Sequence, residues 1–584
     1  MNFRALFSAR LRREGGVLLI LVLVALGTRL GGINWDQGCH LHPDERFLSM
    51  VGDALTLPSS LGEYLDSGRS PMNPYNKGFD LFVYGTLPLS ITKALAVLLD
   101  VDGYDRMYLL GRGLSALADV STLLLLVWFC VLLRRRFALH EELPLFAALF
   151  YAVAVLPIQA AHFFTVDSFL TFFMFGASVC AFRVSCAPSL LFTVLAGLLG
   201  GCALATKLPA LFLFPLLAFL LALPHLKTRS PVALGGHLVL FALTAGGALR
   251  IGDPHMFAPG TFSLTPAPLF VENIRTLRHW SRPDVWFPPA FQWIGRAPVF
   301  FSLENLLRWG LGIPYGLLML LGGTLALRSA WQDLRQGTLR WELLATGAWV
   351  LGFFLFQSVQ FSKTMRYVLP LYPFFAAFAA GGLLKLAAEI PSTWRRGALG
   401  IALLAVVLWP AAFLGIYTRE HSRVAASRWI YENIAPGSVL TAEYWDDALP
   451  LPLGDKNPGL YTIQQMTVFD EESPAKEERM NAVLASADWI VLSSNRGYGS
   501  LLRLPERFPR TGQYYRDLFA GRLGFRQEAV FTSFPRIDLG IFTWEFPDED
   551  AEEVFSVYDH PKVLLFRRVS RDMDMAPPAP QPNP

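Results

Sequence analysis

Charge is what this chain has least of. Only 17% of its 584 residues are Asp, Glu, Lys or Arg, against 53% hydrophobic and 13% aromatic, 46 of them Phe. Mean hydropathy is +0.38. A soluble domain carries about a quarter charged residues, so the composition excludes one and calls for a polytopic membrane protein. The net charge of +3 leaves nucleic acid without an electrostatic footprint. Cysteine is also scarce. The five are Cys39, Cys130, Cys180, Cys186 and Cys202, four in apolar stretches and none at metal-ligand spacing. They read as small buried hydrophobes and imply no disulfide framework. A Gly-rich phosphate loop of the P-loop or dinucleotide type is missing as well, so a soluble nucleotide as direct substrate has no support.

What is present is apolar sequence in runs. Arg4, Arg10, Arg12 and Arg13 precede a run from Val17 to about Ile33 that is too long for a signal peptide and has no cleavage site after it. It reads as an uncleaved first transmembrane helix. About 20 apolar residues cross a bilayer. Eleven such segments lie near 16–34, 108–133, 143–162, 164–183, 187–205, 208–226, 232–251, 306–327, 342–360, 366–387 and 397–417. The apolar stretch 82–100, with Gly85 and Pro88, is placed as a juxtamembrane helix. With the N-terminus cytoplasmic, the short inner loops then hold Arg134, Arg135, Arg136, Arg183, Lys227, Arg229, Arg328, Arg335, Arg340, Lys385, Arg395 and Arg396. That distribution obeys the positive-inside rule.

The expected organisation is a transmembrane domain over 1–418 with large outer loops at 34–105 and 253–305. A more polar α/β domain over 419–575 follows on the outer side, then a disordered Pro-rich tail over 576–584. Helical periodicity at 424–433 and 512–519 alternates with strand-like runs at 438–444, 489–493, 527–534 and 563–569.

The chemistry-bearing residues fall in the outer loops. Asp44 and Glu45 follow Pro43, which suits the first turn of a helix, as do acidic side chains. Two readings stand for the pair: N-terminal capping, or a carboxylate held at the membrane surface as a general base. Adjacent helical residues point about 100° apart, so the two need not share a role. Asp167 lies in a tight outer turn between apolar spans, where a carboxylate marks either a cap or a functional site. Lys207, Lys363, Arg366, Lys77 and Tyr84 lie on the same side. For the lysines the alternative is snorkelling to headgroups, whereas a planar guanidinium suits bidentate phosphate binding. Asp253, His255 and Glu304 are further candidates, and His255 with a nearby carboxylate is a candidate site for a divalent cation, as, separately, is Glu45.

Four short motifs, in this order, carry a resemblance: His42-Pro43-Asp44-Glu45-Arg46-Phe47, Val166-Asp167, Thr206-Lys207 and Arg366-Tyr367-Val368-Leu369-Pro370. The chain resembles the GT-C superfamily of membrane glycosyltransferases, in particular the lipid-carrier-dependent protein O-mannosyltransferase and aminoarabinose transferase types. The resemblance covers about residues 16–420. The Lys-Pro-Pro stretch of the aminoarabinose type is replaced here by Tyr84-Gly85-Thr86-Leu87-Pro88, with Lys77 upstream. The resemblance implies a multi-pass protein of the bacterial inner membrane with an extracytoplasmic C-terminal domain. It implies inverting transfer of a hexose or pentose from a polyprenyl-phosphate donor to a hydroxyl of a protein, lipid or glycan. It further implies Asp44, Glu45 and Asp167 as catalytic groups, and Arg366, Lys207, Lys363, Lys77, Tyr84 and His42 around substrate and lipid phosphate. A lipid-linked sugar transporter or flippase is the competing reading, because intramembrane charges also mark permeation paths. A non-catalytic scaffold is the third.

Overall fold

The computed structural model describes residues 3–569, with side chains from Glu14 onward. The tail 576–584 and the side chains of the N-terminal arginines lie outside the described residues. The chain divides into two compact units, the first comprising 1–34, 42–282 and 296–414 and the second 35–41, 283–295 and 415 onward. Short pieces of both large outer loops therefore belong to the same unit as the C-terminal region.

The first unit is helical. Among the described residues eight helices are long and apolar enough to cross a membrane, from Tyr104–Phe137 to Ser392–Leu414. The pair Leu143–Ala152 and Val155–Ala161 makes a ninth if counted as one span bent by 56°. The expected count of eleven is not reached in this way. Segment 16–34 falls largely within the helix Phe3–Leu30. Segment 187–205 forms Leu190–Leu204, only 15 residues, about 22 Å at 1.5 Å per residue. The juxtamembrane stretch forms a 12-residue helix, Leu87–Leu98. Close helix packing relies on small residues. A Cβ on Gly201 would lie 2.2 Å from the Ala245 carbonyl oxygen, and one on Gly382 would lie 2.4 Å from that of Leu318.

The bent span is held open by charge. Between its two pieces the helical ladder is interrupted at Val153 and Ala154. Arg29, fully buried, donates from Nη2 to the Tyr151 carbonyl at 3.0 Å and from Nη1 to that of Ala152 at 2.5 Å. Its own charge is met by Asp119, 2.7 Å from Nε, and the Tyr151 hydroxyl donates to the same carboxylate at 2.6 Å. Carbonyls freed inside an apolar bundle need such partners. Sequence reasoning missed both Arg29 and Asp119.

The second unit is the α/β module. Its five-stranded sheet has the order β2-β1-β3-β7-β4, with β1 Val439–Glu443, β2 Thr462–Met466, β3 Trp489–Leu492, β4 Phe525–Phe531 and β7 Val563–Arg568. Strands β1, β2 and β3 run parallel, while β7 is antiparallel to β3 and β4. A separate hairpin pairs β5 Arg536–Asp538 with β6 Thr543–Glu545. The core gathers Met466, Val468, Phe469, Ile490, Leu492, Phe508, Tyr515 and Phe566, with Phe291 from the second outer loop. The strand-like runs read from the sequence correspond to β1, β3, β4 and β7. Strand β2 was not foreseen, nor was the helix Pro474–Ser486. The Glu443-Tyr444-Trp445-Asp446-Asp447 stretch runs from the last residue of β1 into the turn that follows it. The fully buried Arg423 donates to Asp446 at 2.6 Å and to Asp447 at 2.8 Å.

Candidate functional site

The site of the first unit is built where the first outer loop enters the helix Pro43–Ala54. His42 is its N-cap and accepts from the Glu45 backbone N–H at 3.4 Å, and Pro43 occupies the first turn. Glu45 and Asp44 then diverge, as the helical offset of about 100° requires. Glu45 turns inward to Arg112 of the span Tyr104–Phe137, with contacts of 2.5 and 2.8 Å from Nη2 and Nε, and both side chains are fully buried. The Phe164 backbone N–H donates to Glu45 Oε2 at 2.8 Å, and Arg112 donates to the Ile33 carbonyl at 2.7 Å. The Arg112 guanidinium lies 4.8 Å from the Tyr108 ring centre. A fork-to-fork pair of this geometry fixes orientation as well as charge.

Asp44 turns the other way. Its Oδ2 lies 2.5 Å from Arg366 Nη1, and the two side chains remain 25% and 29% exposed. Burial pushes the Asp44 carboxyl up, but the Arg366 guanidinium, with His42 and Lys207, more than offsets this and holds it well below the usual carboxylate range. Beside this pair stands a second. Lys207 Nζ lies 2.8 Å from Asp167 Oδ1 and 5.0 Å from the Tyr367 ring centre. Arg366 lies 5.9 Å from the same ring centre, so the two anion–cation pairs meet at Tyr367 in a single polar cluster.

Tyr84 is drawn into that cluster by its backbone. Gly85 N–H donates to the Thr206 carbonyl at 3.0 Å, and Leu87 N–H to that of Ala205 at 3.2 Å. Only glycine allows this approach, because a Cβ there would lie 2.0 Å from the Ala205 oxygen. Burial, then the nearby Asp44 carboxylate, push the Tyr84 phenol well above its ordinary value. Thr86 donates to Asp253 at 2.8 Å, tying the start of the second outer loop to the same segment. Burial lifts the Asp253 carboxyl to about 7.

Other expected residues fall differently. Lys363 is buried, and its ammonium donates to the Phe361 carbonyl at 3.1 Å. No carboxylate pairs with it among the described residues, and burial pulls its pKa down. Lys77 is exposed at the end of a short turn, Pro74–Lys77. Glu304 is exposed and pairs with Arg308 one helical turn on, at 2.9 Å. The metal candidates do not fit a resident ion. Both Glu45 oxygens are taken by Arg112 and the Phe164 N–H, and His255 Nε2 faces the Ser70 hydroxyl at 3.2 Å. Burial lowers the His255 pKa to about 3. Among the described residues no group of three or more His, Cys, Asp or Glu is placed to hold a metal. Arg112 was not foreseen. Its signal was a lone guanidinium inside an otherwise apolar run, which by itself marks a buried partner.

No family model matches the chain, and no curated protein matches it. Among solved structures it is similar to the oligosaccharyltransferase of Archaeoglobus fulgidus in the apo form, at 13% identity and a TM-score of 0.48, over 85% of this chain and 72% of that one. It is similar to the same enzyme in complex with Zn and sulfate, at 13% identity and 0.48, over 85% and 71%. It is also similar to ArnT from Cupriavidus metallidurans bound to undecaprenyl phosphate, at 14% identity and 0.40, over 97% and 99%. The likeness is loose. At this distance the chemistry of the cluster rests on its own side chains.

Proposed function

We propose that the chain is an inverting glycosyltransferase that moves a sugar from a polyprenyl-phosphate carrier to an acceptor hydroxyl at the outer face of a bacterial inner membrane. The observation that carries this reading is the Asp44–Arg366 pair standing beside Asp167–Lys207, partly open, at the end of a membrane bundle. A transporter path would place such charges at mid-membrane, in matching positions of two repeats, and the sequence has no repeat. The undecaprenyl phosphate bound by ArnT and the dolichol phosphate bound by the archaeal enzyme are carriers of the class proposed.

The chemistry needs two things. A base must take the acceptor proton as the oxygen attacks the anomeric carbon. Fixed cations must meet the charge that grows on the leaving phosphate. Asp44 is the base. The acceptor O–H proton passes to its carboxylate, the new C–O bond forms at the anomeric carbon, and the old C–O bond breaks. Its electron pair leaves with the lipid phosphate, which Arg366 and Lys207 stabilise. Lys363 adds a cation on the same stretch as Arg366. Asp167 holds Lys207 in place, and Tyr84 and His42 shape the pocket around sugar and base. Glu45 serves as a positioning residue: its pair with Arg112 fixes the helix turn from which Asp44 projects. Lys77 has no place in the cluster.

The contact with Arg366 lowers the basicity of Asp44. A carboxylate held below its usual range is a poor proton acceptor. A phosphate competes for the guanidinium, so donor binding draws Arg366 away and frees Asp44 when the acceptor needs it. The test is mass spectrometry of products after purified protein is incubated with candidate prenyl-phosphate sugars and acceptors. Wild type should form a glycosylated product. Asp44→Asn should lose about 10²- to 10⁴-fold in rate while expressing normally. Lipid movement across vesicles without any product, or full turnover in Asp44→Asn, would overturn the proposal.

A further inference from the structure

The hairpin of the second unit is apolar where a soluble domain is polar. Its tip reads Leu539-Gly540-Ile541-Phe542, with Trp544 one strand position below. Leu539 is 68% exposed, Ile541 97%, Phe542 59% and Trp544 51%. Solvent does not favour four large apolar side chains within six residues, and such a patch marks a site of contact.

The root of the hairpin identifies what it contacts. Arg419 lies five positions after Leu414, the last residue of the final membrane helix. Its Nε donates to the Gly415 carbonyl at 2.9 Å, and its Nη2 donates to the carbonyls of Ser533, at 3.3 Å, and Phe534. One guanidinium therefore clamps the start of the hairpin to the residue that follows the last span. Ile541 lies seven residues beyond Phe534, a reach of up to about 23 Å at 3.3 Å per residue. That distance is comparable with the depth of a bilayer interface plus part of its hydrocarbon.

The backbone is also prepared for an apolar medium. The ladder pairs Arg536 with Glu545, Ile537 with Trp544 and Asp538 with Thr543. Across the tip Leu539 N–H donates to the Phe542 carbonyl at 3.0 Å, and Gly540 N–H to Asp538 Oδ1 at 3.0 Å. Paired main-chain groups are the condition for entering lipid. Trp544, below the aliphatic tip, has the position of an interfacial aromatic anchor. Arg536 and Glu545 stay at the base, where headgroups and water can hydrate them, while Asp538, beside the tip, has one carboxylate oxygen bonded to the Gly540 N–H.

We infer that the hairpin 536–545 dips its Leu539-Gly540-Ile541-Phe542 tip into the bilayer from which the helix Ser392–Leu414 emerges. It anchors the α/β module to the lipid surface independently of the covalent tether. The proposal does not depend on the transferase reading.

The experiment uses the full chain in nanodiscs holding one copy each, with the five native cysteines replaced. A nitroxide is attached at Ile541→Cys in one sample and at Glu478→Cys in another. Glu478 is an exposed position on the helix Pro474–Ser486. Collision with oxygen, which partitions into lipid, is compared with collision with a water-soluble nickel chelate. The 541 label should favour oxygen and the 478 label nickel. Replacing Phe542 and Leu539 by Asp should return the 541 label to the nickel-accessible state without altering the 478 label. A 541 label as open to nickel as the 478 label would overturn the proposal. So would protection that appears only in discs holding two copies, which would assign the tip to a second chain.

Discussion

Replacing Glu45 by Gln is the sharpest test of how the site is held. The substitution keeps shape and one acceptor oxygen but removes the charge that Arg112 faces. In the native structure both side chains are fully buried, and the guanidinium meets the carboxylate through two contacts of 2.5 and 2.8 Å. Arg112 is always charged, so the Gln variant leaves an unneutralised cation in a dry interior. Breaking a buried pair from one side costs about 3–5 kcal/mol. A further share comes from the weakened bond to the Phe164 N–H, since a buried donor left unsatisfied costs about 1–3 kcal/mol. Replacing both partners, Glu45→Leu with Arg112→Met, removes the charge problem and should recover most of the loss. The remaining deficit belongs to the Phe164 N–H and the Ile33 carbonyl. Unfolding in mixed micelles of wild type, Glu45→Leu, Arg112→Met and the double variant forms the cycle, with Glu45→Gln measured beside it. A Glu45→Gln cost under about 1 kcal/mol, or a double variant worse than the sum of the singles, would refute a structural role for this pair. Normal stability with lost turnover would move Glu45 back among the reacting groups.

Three other outcomes follow from the same geometry. Arg366→Ala should lose about 10²- to 10³-fold in kcat, the usual cost of one donor to a developing anion. It should also reshape the pH profile: a base works only when deprotonated, so once burial is no longer offset by the guanidinium, activity should fall away at a higher pH than in wild type. An unchanged profile shape would separate Arg366 from Asp44. Gly85→Ala should cost more than the 1–3 kcal/mol of ordinary overpacking, because the new methyl meets a backbone oxygen at 2.0 Å; wild-type stability and turnover there would refute the tight 85–206 pairing. Lys77→Ala should change stability by less than about 0.5 kcal/mol and leave product formation at the wild-type rate, measured in the same transfer assay.

Much of this architecture could be read in advance, for identifiable reasons. Long apolar runs announce membrane helices, and the polar C-terminal third announces a separate kind of packing. Asp44, Asp167, Lys207 and Arg366 stood out because charge is costly beside apolar spans, and the structure gathers them into two adjacent pairs. The divergence of Asp44 from Glu45 was implicit in helical geometry. What each residue faced was not. Arg112 and Asp119 share one run and Arg29 sits in another, and the average hydropathy of each run hides its charges; their partners are up to 123 residues away. The count by length and apolarity falls below eleven where helices are short or bent, as in Leu190–Leu204 and the broken 143–161 pair. Strand β2, Thr-Ile-Gln-Gln-Met, lies at a sheet edge with mostly uncovered side chains. It therefore lacked the apolar alternation that marks a strand.

Arg29 gives the bent span a property that a straight one lacks. With the carbonyls of Tyr151 and Ala152 already satisfied, the chain can change direction below the surface and still reach the turn bearing Asp167 with its polar groups quiet. An aliphatic residue at 29 would look friendlier to lipid in any hydropathy profile. It would also leave the Ala152 oxygen without its donor and the Asp119 carboxylate without its countercharge in oil, while the Tyr151 carbonyl kept only the Ala154 N–H, so hydrophobic optimisation of this bundle would dismantle the bend it was meant to strengthen.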